Sequence, residues 1–255
     1  RSTQSRSSAA SDVYKRQLLN DAHSGALLAV MDGTWLTAMR TGAASGVATR
    51  YLARKEASVA TVVGAGVQGR TQLMALCQAR PIRRAYIYDL DAGRSRAYAA
   101  EMAPRLNIEV IPTTDLRAAI AASDVLSLAT SAREPVFPAE WLHPGLHING
   151  IGSHSPNARE LDSETVRRSL LVVDQRQACL AEAGDILIPL QEGRITEEHI
   201  HGELGQVIAG QVAGRTSDDQ ITLFKSVGLA LQDVATAARV YALAVERGVG
   251  KPLPL

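Results

Sequence analysis

The chain has few cysteines, almost no net charge and no long apolar run, and each shortage narrows its class. Cys77 and Cys179 are the two cysteines among 255 residues, and they form no CxxC pattern. They give no basis for a disulfide framework, so a reducing, cytoplasmic compartment is expected. The 27 basic and 26 acidic residues leave a formal charge of +1, which argues against a nucleic acid or an anionic membrane as partner. No stretch reaches the ~20 apolar residues of a membrane span.

Residues 1–17 differ in composition from the rest of the chain. They are rich in Ser, Arg and Gln and show no hydrophobic periodicity. Because they contain no apolar core segment, they are not a secretory signal, and the lack of an amphipathic pattern disfavours a transit peptide. We expect residues 1–17 to be a disordered or non-native tail.

After this segment, strand-like and helix-like stretches alternate. "GALLAVMDGTWLTAM", residues 25–39, predicts a β-hairpin around an Asp-Gly turn. "TGAASGVATRYLAR" predicts a helix capped by Thr41, with small residues suited to close packing. A strand, a Gly-rich turn and a helix follow at 59–80, and further strands are predicted at 84–89, 125–130, 145–152 and 169–174. The last helix carries one apolar stripe, formed by Val227, Leu231, Val234, Ala238, Tyr241 and Val245. This rhythm predicts an α/β fold, with helices on both faces of a parallel sheet.

The stretch "SVATVVGAGVQGR", residues 58–70, contains a GxGxxG string. The string is weak alone, but here it follows a β-branched strand and opens a helix, which is the context of dinucleotide binding. Gly64 permits the tight turn, Gly66 lets the backbone approach a pyrophosphate, and Gly69 lets the helix pack on the strand. The free N–H groups at the helix N-terminus favour the phosphates.

The next strand ends in "YIYD", and Asp89 lies 25 positions after Gly64. An acidic residue about 20 positions after the first glycine binds the adenosine ribose hydroxyls of NAD. A carboxylate there repels a 2′-phosphate and favours NAD, whereas Arg94 and Arg96 could instead accept NADP. We predict NAD or NADP as the cofactor, with NAD favoured.

Arg40 stands where the predicted hairpin meets its helix. A guanidinium beside a helix N-terminus combines a bidentate fork with backbone N–H groups, which suits a substrate carboxylate. Thr41, as the predicted cap, belongs to the same site. The alternative is an arginine that pairs with a surface acid, and the spacing alone does not separate the two.

Together these segments make the chain resemble the ornithine cyclodeaminase/mu-crystallin family. The resemblance covers about residues 18–255 and rests on "LLNDAHSGALLAVMDGTWLTAMRTGAAS", "VVGAGVQGR", "SLATSAREPVF", "HINGIGSHSPNARELD" and "DQITLFKSVGLALQDVATA". It implies a Rossmann-type doubly wound parallel sheet and a smaller α+β domain for substrate binding and dimerisation. A homodimer acting on a small amino or imino acid is therefore expected.

The resemblance also implies a division of the chain. Residues 18–40 would be a remnant of the substrate and dimerisation domain, 41–230 the Rossmann dinucleotide-binding domain, and 231–255 a C-terminal helix packing back toward the substrate domain. The family's upstream segment, with a lysine at the catalytic site, has no match here. We therefore expect an N-terminally truncated member whose activity depends on that segment.

The family implies roles for the matching residues. Arg40 would bind the substrate carboxylate. Thr130 and Ser131 would line the nicotinamide side, and Val227 and Gly228 would approach the nicotinamide from the last helix; a polar loop start and a simple core position are the alternatives. The full set implied for the cofactor is Gly64, Gly66, Val67, Gln68, Gly69, Asp89, Thr130, Ser131, Val227 and Gly228.

The chain departs from the cyclodeaminases at two positions. His154 stands where they carry a proton-transferring Asp, and Lys225 stands where they carry an acid. Histidine changes charge near neutral pH, so His154 could protonate the nitrogen of an imine during its reduction. The alternative is that His154 only caps the loop before Pro156.

Three functions remain open. The first is an NAD(P)-dependent oxidoreductase that reduces the C=N bond of a small imino acid such as Δ1-pyrroline-2-carboxylate, or interconverts an amino acid and its keto acid. The second is the lyase ornithine cyclodeaminase, which the Asp-to-His departure disfavours. The third is a non-catalytic NADPH or ligand-binding protein.

The string "EEHIHGE" is the one stretch that invites a metal-site interpretation. Its HxH spacing, at His199 and His201, lacks a third ligand with supporting context. We predict a solvated loop there and no metal site.

Overall fold

The computed structural model describes residues 16–252, and every structural statement below concerns that range. The strands are β1 (Arg16–Asn20), β2 (Leu27–Asp32), β3 (Val59–Val63), β4 (Arg84–Tyr88), β5 (Glu109–Pro112), β6 (Val125–Leu128), β7 (His147–Gly150), β8 (Leu170–Val173), β9 (Ile200–Glu203) and β10 (Thr222–Lys225). The helices are α1 (Gly33–Leu52), α2 (Val67–Ala79), α3 (Ala92–Leu106), α4 (Leu116–Ala121), α5 (Ser163–Arg167), α6 (Arg176–Glu182), α7 (Gly184–Gln191), α8 (Leu204–Ile208) and α9 (Ala230–Arg247). The predicted tail, 1–17, lies outside the described residues except for its last two, which belong to β1.

Eight strands form one sheet in the order β5-β4-β3-β6-β7-β10-β8-β9. Every neighbouring pair in it is parallel. The chain runs outward from β3 to β5, then returns beside β3 as β6 and continues the other way. The switch point therefore lies between β3 and β6, where open α/β sheets bind ligands above the carboxyl ends of the strands. The predicted fold class is confirmed.

Apolar residues cover both faces of this sheet, which is why its strands read as apolar runs rather than alternating ones. The adjacent residues Val62 and Val63 belong to different core clusters. Val62 packs with residues of α2 and α3, such as Leu73 and Met102. Val63 packs with the cluster that extends to α5 and α7. The close packing expected of α1 is present, since a Cβ at Gly42 would lie 2.5 Å from the Thr71 carbonyl oxygen of α2.

The chain divides into two compact units. One comprises the residues up to Thr37 together with those from Asp233 onward, and the other comprises Ala38–Gln232. In the smaller unit, Leu19, Leu36 and Ala237 are buried together. The assignment of these segments to a substrate domain and a dinucleotide-binding domain stays a prediction.

The hairpin predicted over residues 25–39 is wrong. β2 pairs antiparallel with the preceding strand β1, and the chain enters α1 directly after Asp32. The Asp32 carboxylate accepts a 2.7 Å hydrogen bond from the Thr34 N–H and caps the helix. Thr41 is therefore not the cap; it is buried within α1. The Asp-Gly pair that is typical of a hairpin turn serves here as a helix start.

The amino edge of the sheet is stabilised by buried and partly buried polar groups. The Asp124 carboxylate pairs with Arg54 and accepts hydrogen bonds from the N–H groups of Ser58 (2.8 Å) and Val59 (3.0 Å). His147, fully buried, contacts the Thr222 hydroxyl oxygen through Nδ1 at 2.9 Å. Burial lowers the pKa of His147 to about 3, so the ring is neutral at ordinary pH. These groups fasten the edge opposite the predicted site.

The stripe predicted on the last helix stays largely open to solvent among the described residues. Leu231 is 73% exposed and Val245 is 64% exposed, whereas the buried position of α9 is Ala237. Within residues 16–252, no helix is both long and apolar enough to cross a membrane.

Candidate functional site

The glycine string forms the turn between β3 and α2, as its spacing predicted. Gly64 has φ +103°, in the region that favours glycine. A Cβ at Gly69 would collide with the Gly64 carbonyl oxygen, so a side chain there would push α2 off the turn. At Gly66, which precedes α2, a Cβ would meet only the Arg94 guanidinium, 3.9 Å away. The space above the Gly66 backbone is therefore open to a bound group.

The first turn of α2 fits an anionic ligand. The N-cap, Gly66, has no side chain to satisfy the free N–H groups of the helix start. The Oε1 atom of Gln68 is buried and has no hydrogen-bond partner among the described residues. Val67 is 49% exposed beside it. Open backbone space and uncapped N–H donors are what a dinucleotide pyrophosphate requires, whereas the Gln68 oxygen is an acceptor and would need a donor such as a hydroxyl group.

Asp89 follows β4 and is fixed by the backbone. Its Oδ2 accepts a 2.8 Å hydrogen bond from the Ala65 N–H, and its Oδ1 accepts a 3.0 Å bond from the Asp91 N–H. The side chain is 11% exposed, and the Arg94 guanidinium lies 4.0 Å away and is 59% exposed. The Asp89 carboxylate is thus fixed at the glycine turn, and the exposed Arg94 guanidinium lies beside it.

Segments from β3, β6 and β7 meet at the switch point. A Cβ at Gly64 would lie 2.5 Å from the Ala129 carbonyl oxygen and 3.5 Å from Cγ2 of Thr130. A Cβ at Gly152, in the loop after β7, would collide with the Thr130 carbonyl oxygen. The structure therefore brings the glycine turn, Thr130 and the loop after β7 into contact. Ser131, next in the chain, is exposed.

His154 lies on that loop after β7. Its ring is exposed, and Nδ1 lies 3.2 Å from the Gly152 carbonyl oxygen. The preceding residue is held from two sides: the buried Lys225 ammonium donates to the Ser153 carbonyl oxygen at 2.6 Å, and the Ser153 hydroxyl donates to the Ala158 carbonyl. The histidine thus stands on a tightly fixed loop at the carboxyl edge.

Arg40 does not stand at a helix N-terminus. It lies in the second turn of α1, because that helix begins at Gly33. Its Nη1 donates to Oε1 of Gln232 at 3.2 Å. A Cβ at Gly228 would lie 2.5 Å from the same Nη1. The two-part anion site of guanidinium and helix start is therefore wrong, but Arg40 lies against the loop predicted to reach the nicotinamide.

Val227 and Gly228 lie in the loop between β10 and α9, not on the last helix. Oδ2 of Asp174, the residue after β8, accepts hydrogen bonds from the Val227 N–H (3.0 Å), the Gly228 N–H (2.8 Å) and the Ser226 hydroxyl (2.7 Å). Gly228 has φ +87°. A buried carboxylate thus shapes the turn against which Arg40 packs.

Comparison with known proteins now identifies the chain. The sequence model of the ornithine cyclodeaminase/mu-crystallin family matches residues 2–248. The chain belongs to this family. A Δ1-pyrroline-2-carboxylate reductase of Bacillus cereus is 39% identical over 235 residues, which cover 92% of this chain and 72% of that protein.

Two solved structures are close in fold. The Thermococcus litoralis Δ1-pyrroline-2-carboxylate reductase in complex with NADH and L-proline superposes with a TM-score of 0.90 at 52% identity, covering 92% of this chain and 73% of that one. An archaeal alanine dehydrogenase dimer with bound NAD gives a TM-score of 0.87 at 38% identity, covering 94% and 74%. The family predicted from the sequence is confirmed.

Sequence reasoning overlooked three buried carboxylates at this edge: Glu160, Asp174 and Asp185. Asp174 had a readable signal, because it directly follows an apolar parallel strand. Glu160 and Asp185 come from "REL" and "AGDIL", which show no such signal.

The two histidines of the HxH stretch contact backbone carbonyl groups of the fold. His199 Nε2 lies 2.9 Å from the Val166 carbonyl oxygen, and His201 Nε2 lies 2.8 Å from that of Ala213. In residues 16–252, no three His, Cys, Asp or Glu side chains are grouped to hold a metal ion.

Proposed function

We propose that this protein is an NAD(P)-dependent reductase of the C=N bond of a small cyclic imino acid such as Δ1-pyrroline-2-carboxylate. Interconversion of an amino acid and its keto acid is the related reaction of the same site. The observation that carries the proposal is the meeting of the glycine turn, Thr130 and the His154 loop at the switch point. The names of the similar proteins support the same reaction class.

The cofactor side is formed by the β3–α2 turn. The N–H groups at the start of α2 bind the pyrophosphate above Gly66, and Asp89 accepts hydrogen bonds from the adenosine ribose. Thr130 and Ser131 border the nicotinamide from β6, while Val227 and Gly228 border it from the β10–α9 loop. When bound, the reduced nicotinamide supplies a hydride to the carbon of the substrate C=N bond.

The substrate side is formed by Arg40 and His154. The Arg40 guanidinium binds the substrate carboxylate as a fork and so fixes the imine carbon for attack. Thr41 follows Arg40 in α1 and is buried. His154 gives its proton to the imine nitrogen, which leaves a secondary amine. With cyclic Δ1-pyrroline-2-carboxylate, the product is proline.

A paired assay tests the reaction class. We expect the protein, assayed in full-length form with the family's upstream segment, to oxidise NADH or NADPH when given Δ1-pyrroline-2-carboxylate, followed by absorbance at the reduced nicotinamide band. With ornithine and NAD it should release little ammonia, because the cyclodeaminase aspartate is His154 here. Ammonia and proline formed from ornithine without net cofactor change would instead establish the lyase. NADH binding without turnover of any imino or keto acid would establish the non-catalytic binding protein.

Asp89 sets the cofactor preference. We expect Asp89→Ser to weaken NADH binding and strengthen NADPH binding, because the ribose loses its acceptor and the Arg94 guanidinium gains room for a 2′-phosphate. The preference for NADH over NADPH should fall about 10- to 100-fold, the effect of one charge-assisted hydrogen bond. Titration of nicotinamide fluorescence with both cofactors measures it.

Asp91→Ser is the matched control, since serine also caps a helix and Asp91 caps α3 with a 2.7 Å bond from the Gly93 N–H. Its cofactor preference should equal that of the unaltered protein. A tighter NADPH than NADH complex before any substitution would show that Asp89 does not select NAD.

The proposed oligomeric state rests on a related protein, and the proposed cellular location rests on the cysteines. We propose a homodimer, since a related alanine dehydrogenase was solved as a dimer. The free cysteines favour a cytoplasmic location: burial raises the pKa of the Cys77 thiol to about 11, and Cys179 is fully buried.

A further inference from the structure

Three charged side chains are fully buried together beneath the carboxyl edge of the sheet. Glu160, Asp185 and Lys225 each have no exposed surface. The Lys225 ammonium lies 2.7 Å from Oδ2 of Asp185. Oδ1 of the same aspartate accepts hydrogen bonds from the N–H groups of Glu160 (2.7 Å) and Leu161 (2.9 Å). Burying a charge costs desolvation free energy, which is offset only when the charge is fully paired and hydrogen-bonded. Here many of the partners are backbone N–H and carbonyl groups.

Glu160 joins two loops of the proposed site. Its Oε1 accepts from both the backbone N–H (2.8 Å) and the hydroxyl (2.7 Å) of Thr130, in the loop after β6. Its Oε2 accepts from the Gly152 N–H at 2.7 Å, in the loop after β7. Burial raises the pKa of the Glu160 carboxyl, and the Lys225 charge opposes this shift. The three donors that face it favour the ionised carboxylate.

The other two members act on the same loop. Lys225 holds the Ser153 carbonyl oxygen at 2.6 Å, one residue before His154. Asp185 neutralises that ammonium and fixes the backbone of Glu160. The loop after β7 is closely packed against α7, because a Cβ at Gly184 would collide with the Ala158 carbonyl oxygen. Apart from the Lys225–Asp185 pair, the side-chain hydrogen bonds of the network therefore end on the loops that carry Thr130 and His154.

We propose that the network of Glu160, Asp185 and Lys225 positions Thr130 against the nicotinamide and His154 against the imine nitrogen. The inference rests on the proposed function, since it takes the roles of Thr130 and His154 from there. Glu160 is a positioning residue: it reaches no reacting atom and acts through the two loops.

Glu160→Gln tests the network with little harm to the fold. The amide keeps the shape, and the Lys225–Asp185 pair stays balanced. One terminal atom of the amide becomes a donor, so either the Thr130 groups or the Gly152 N–H lose their acceptor. We expect about tenfold weaker NADH binding by fluorescence titration. We also expect kcat to fall about 10- to 100-fold, with a smaller change in KM.

Asp124→Asn is the matched control. Asp124 is also a carboxylate that accepts two backbone N–H bonds, but it lies at the amino edge of the sheet. It should lower Tm while the NADH Kd and kcat stay within about twofold of the unaltered protein. A general loss of stability would change NADH affinity and kcat similarly in both variants. A positioning role would change them in Glu160→Gln and not in Asp124→Asn.

Two outcomes would show that the network has no positioning role, and a third would contradict the proposed function itself. Glu160→Gln with unchanged NADH affinity and kcat, in a protein that binds and reduces normally before substitution, would show the network to be structural only. Equal losses in Asp124→Asn would show the same. If the unaltered protein does not bind NADH, the proposed function fails first and the positioning role falls with it.

Discussion

His154→Ala is expected to lower turnover of Δ1-pyrroline-2-carboxylate by about 10²–10⁴-fold, the usual range for the loss of a general acid. The physical reason is that hydride addition to the imine carbon leaves the nitrogen in need of a proton, which we propose that the exposed imidazole after β7 supplies. NADH affinity should change little, because His154 is not among the proposed cofactor contacts. Stopped-flow or steady-state absorbance at the nicotinamide band measures the rate, and fluorescence titration measures the affinity.

Two further measurements make that result specific. Free imidazole added to His154→Ala should restore part of the activity, since it replaces the missing proton donor without repairing the loop. His201→Ala, at an exposed histidine of β9, should leave the rate within about twofold. A His154→Ala protein that keeps full turnover would return this histidine to a loop-capping role, and the proton would then have to come from another group.

Arg40→Leu is expected to lower kcat/KM by about 10²–10³-fold, the effect of truncating one partner of a desolvated charge pair. Arg40→Lys should lose less but still fail to restore the rate, because an ammonium cannot form the planar fork that fixes a carboxylate. The loss should appear mainly in KM if the guanidinium only binds, and in kcat as well if it also orients the imine carbon. Initial-rate kinetics with the imino acid separate the two.

Arg50→Lys provides the control on the same helix. Arg50 lies ten residues further along α1, in its last turn, and its replacement should leave kcat/KM within about twofold. NADH affinity should stay the same in all three variants, because the proposed partner of Arg40 is the substrate carboxylate and not the cofactor. Unaltered kinetics in Arg40→Leu would contradict the carboxylate role and leave Arg40 as a structural partner of Gln232.

The sequence predicted the glycine turn between β3 and α2 well, because its geometry is local. Gly64 is required by its positive φ, and Gly69 by its close contact with the Gly64 carbonyl oxygen five residues earlier, so their spacing carries the geometry directly. The helix start at Gly33 was mispredicted because the local sequence there is compatible with two structures. Asp32-Gly33 satisfies both a hairpin turn and a helix cap, and pairing of β2 with the earlier strand β1 decides between them.

The Arg40 prediction shows the limit of such reasoning. The residue was chosen for a helix N-terminus that lies elsewhere, yet the structure places its guanidinium against Gly228, which is 188 positions away. A contact of that separation depends on how the helices pack, and no local spacing encodes it.

By itself, the sequence determined the parallel α/β fold, the family and the glycine turn, since apolar strand runs and glycine geometry are properties of short segments. The tertiary structure alone decided what surrounds the reacting groups. It buried Glu160, Asp185 and Lys225 in one network, placed Asp174 under the Gly228 turn, and joined the loops of Thr130 and His154. These are pairings of charges and backbone donors from distant strands, and they form only when the sheet order brings the carboxyl ends of those strands together.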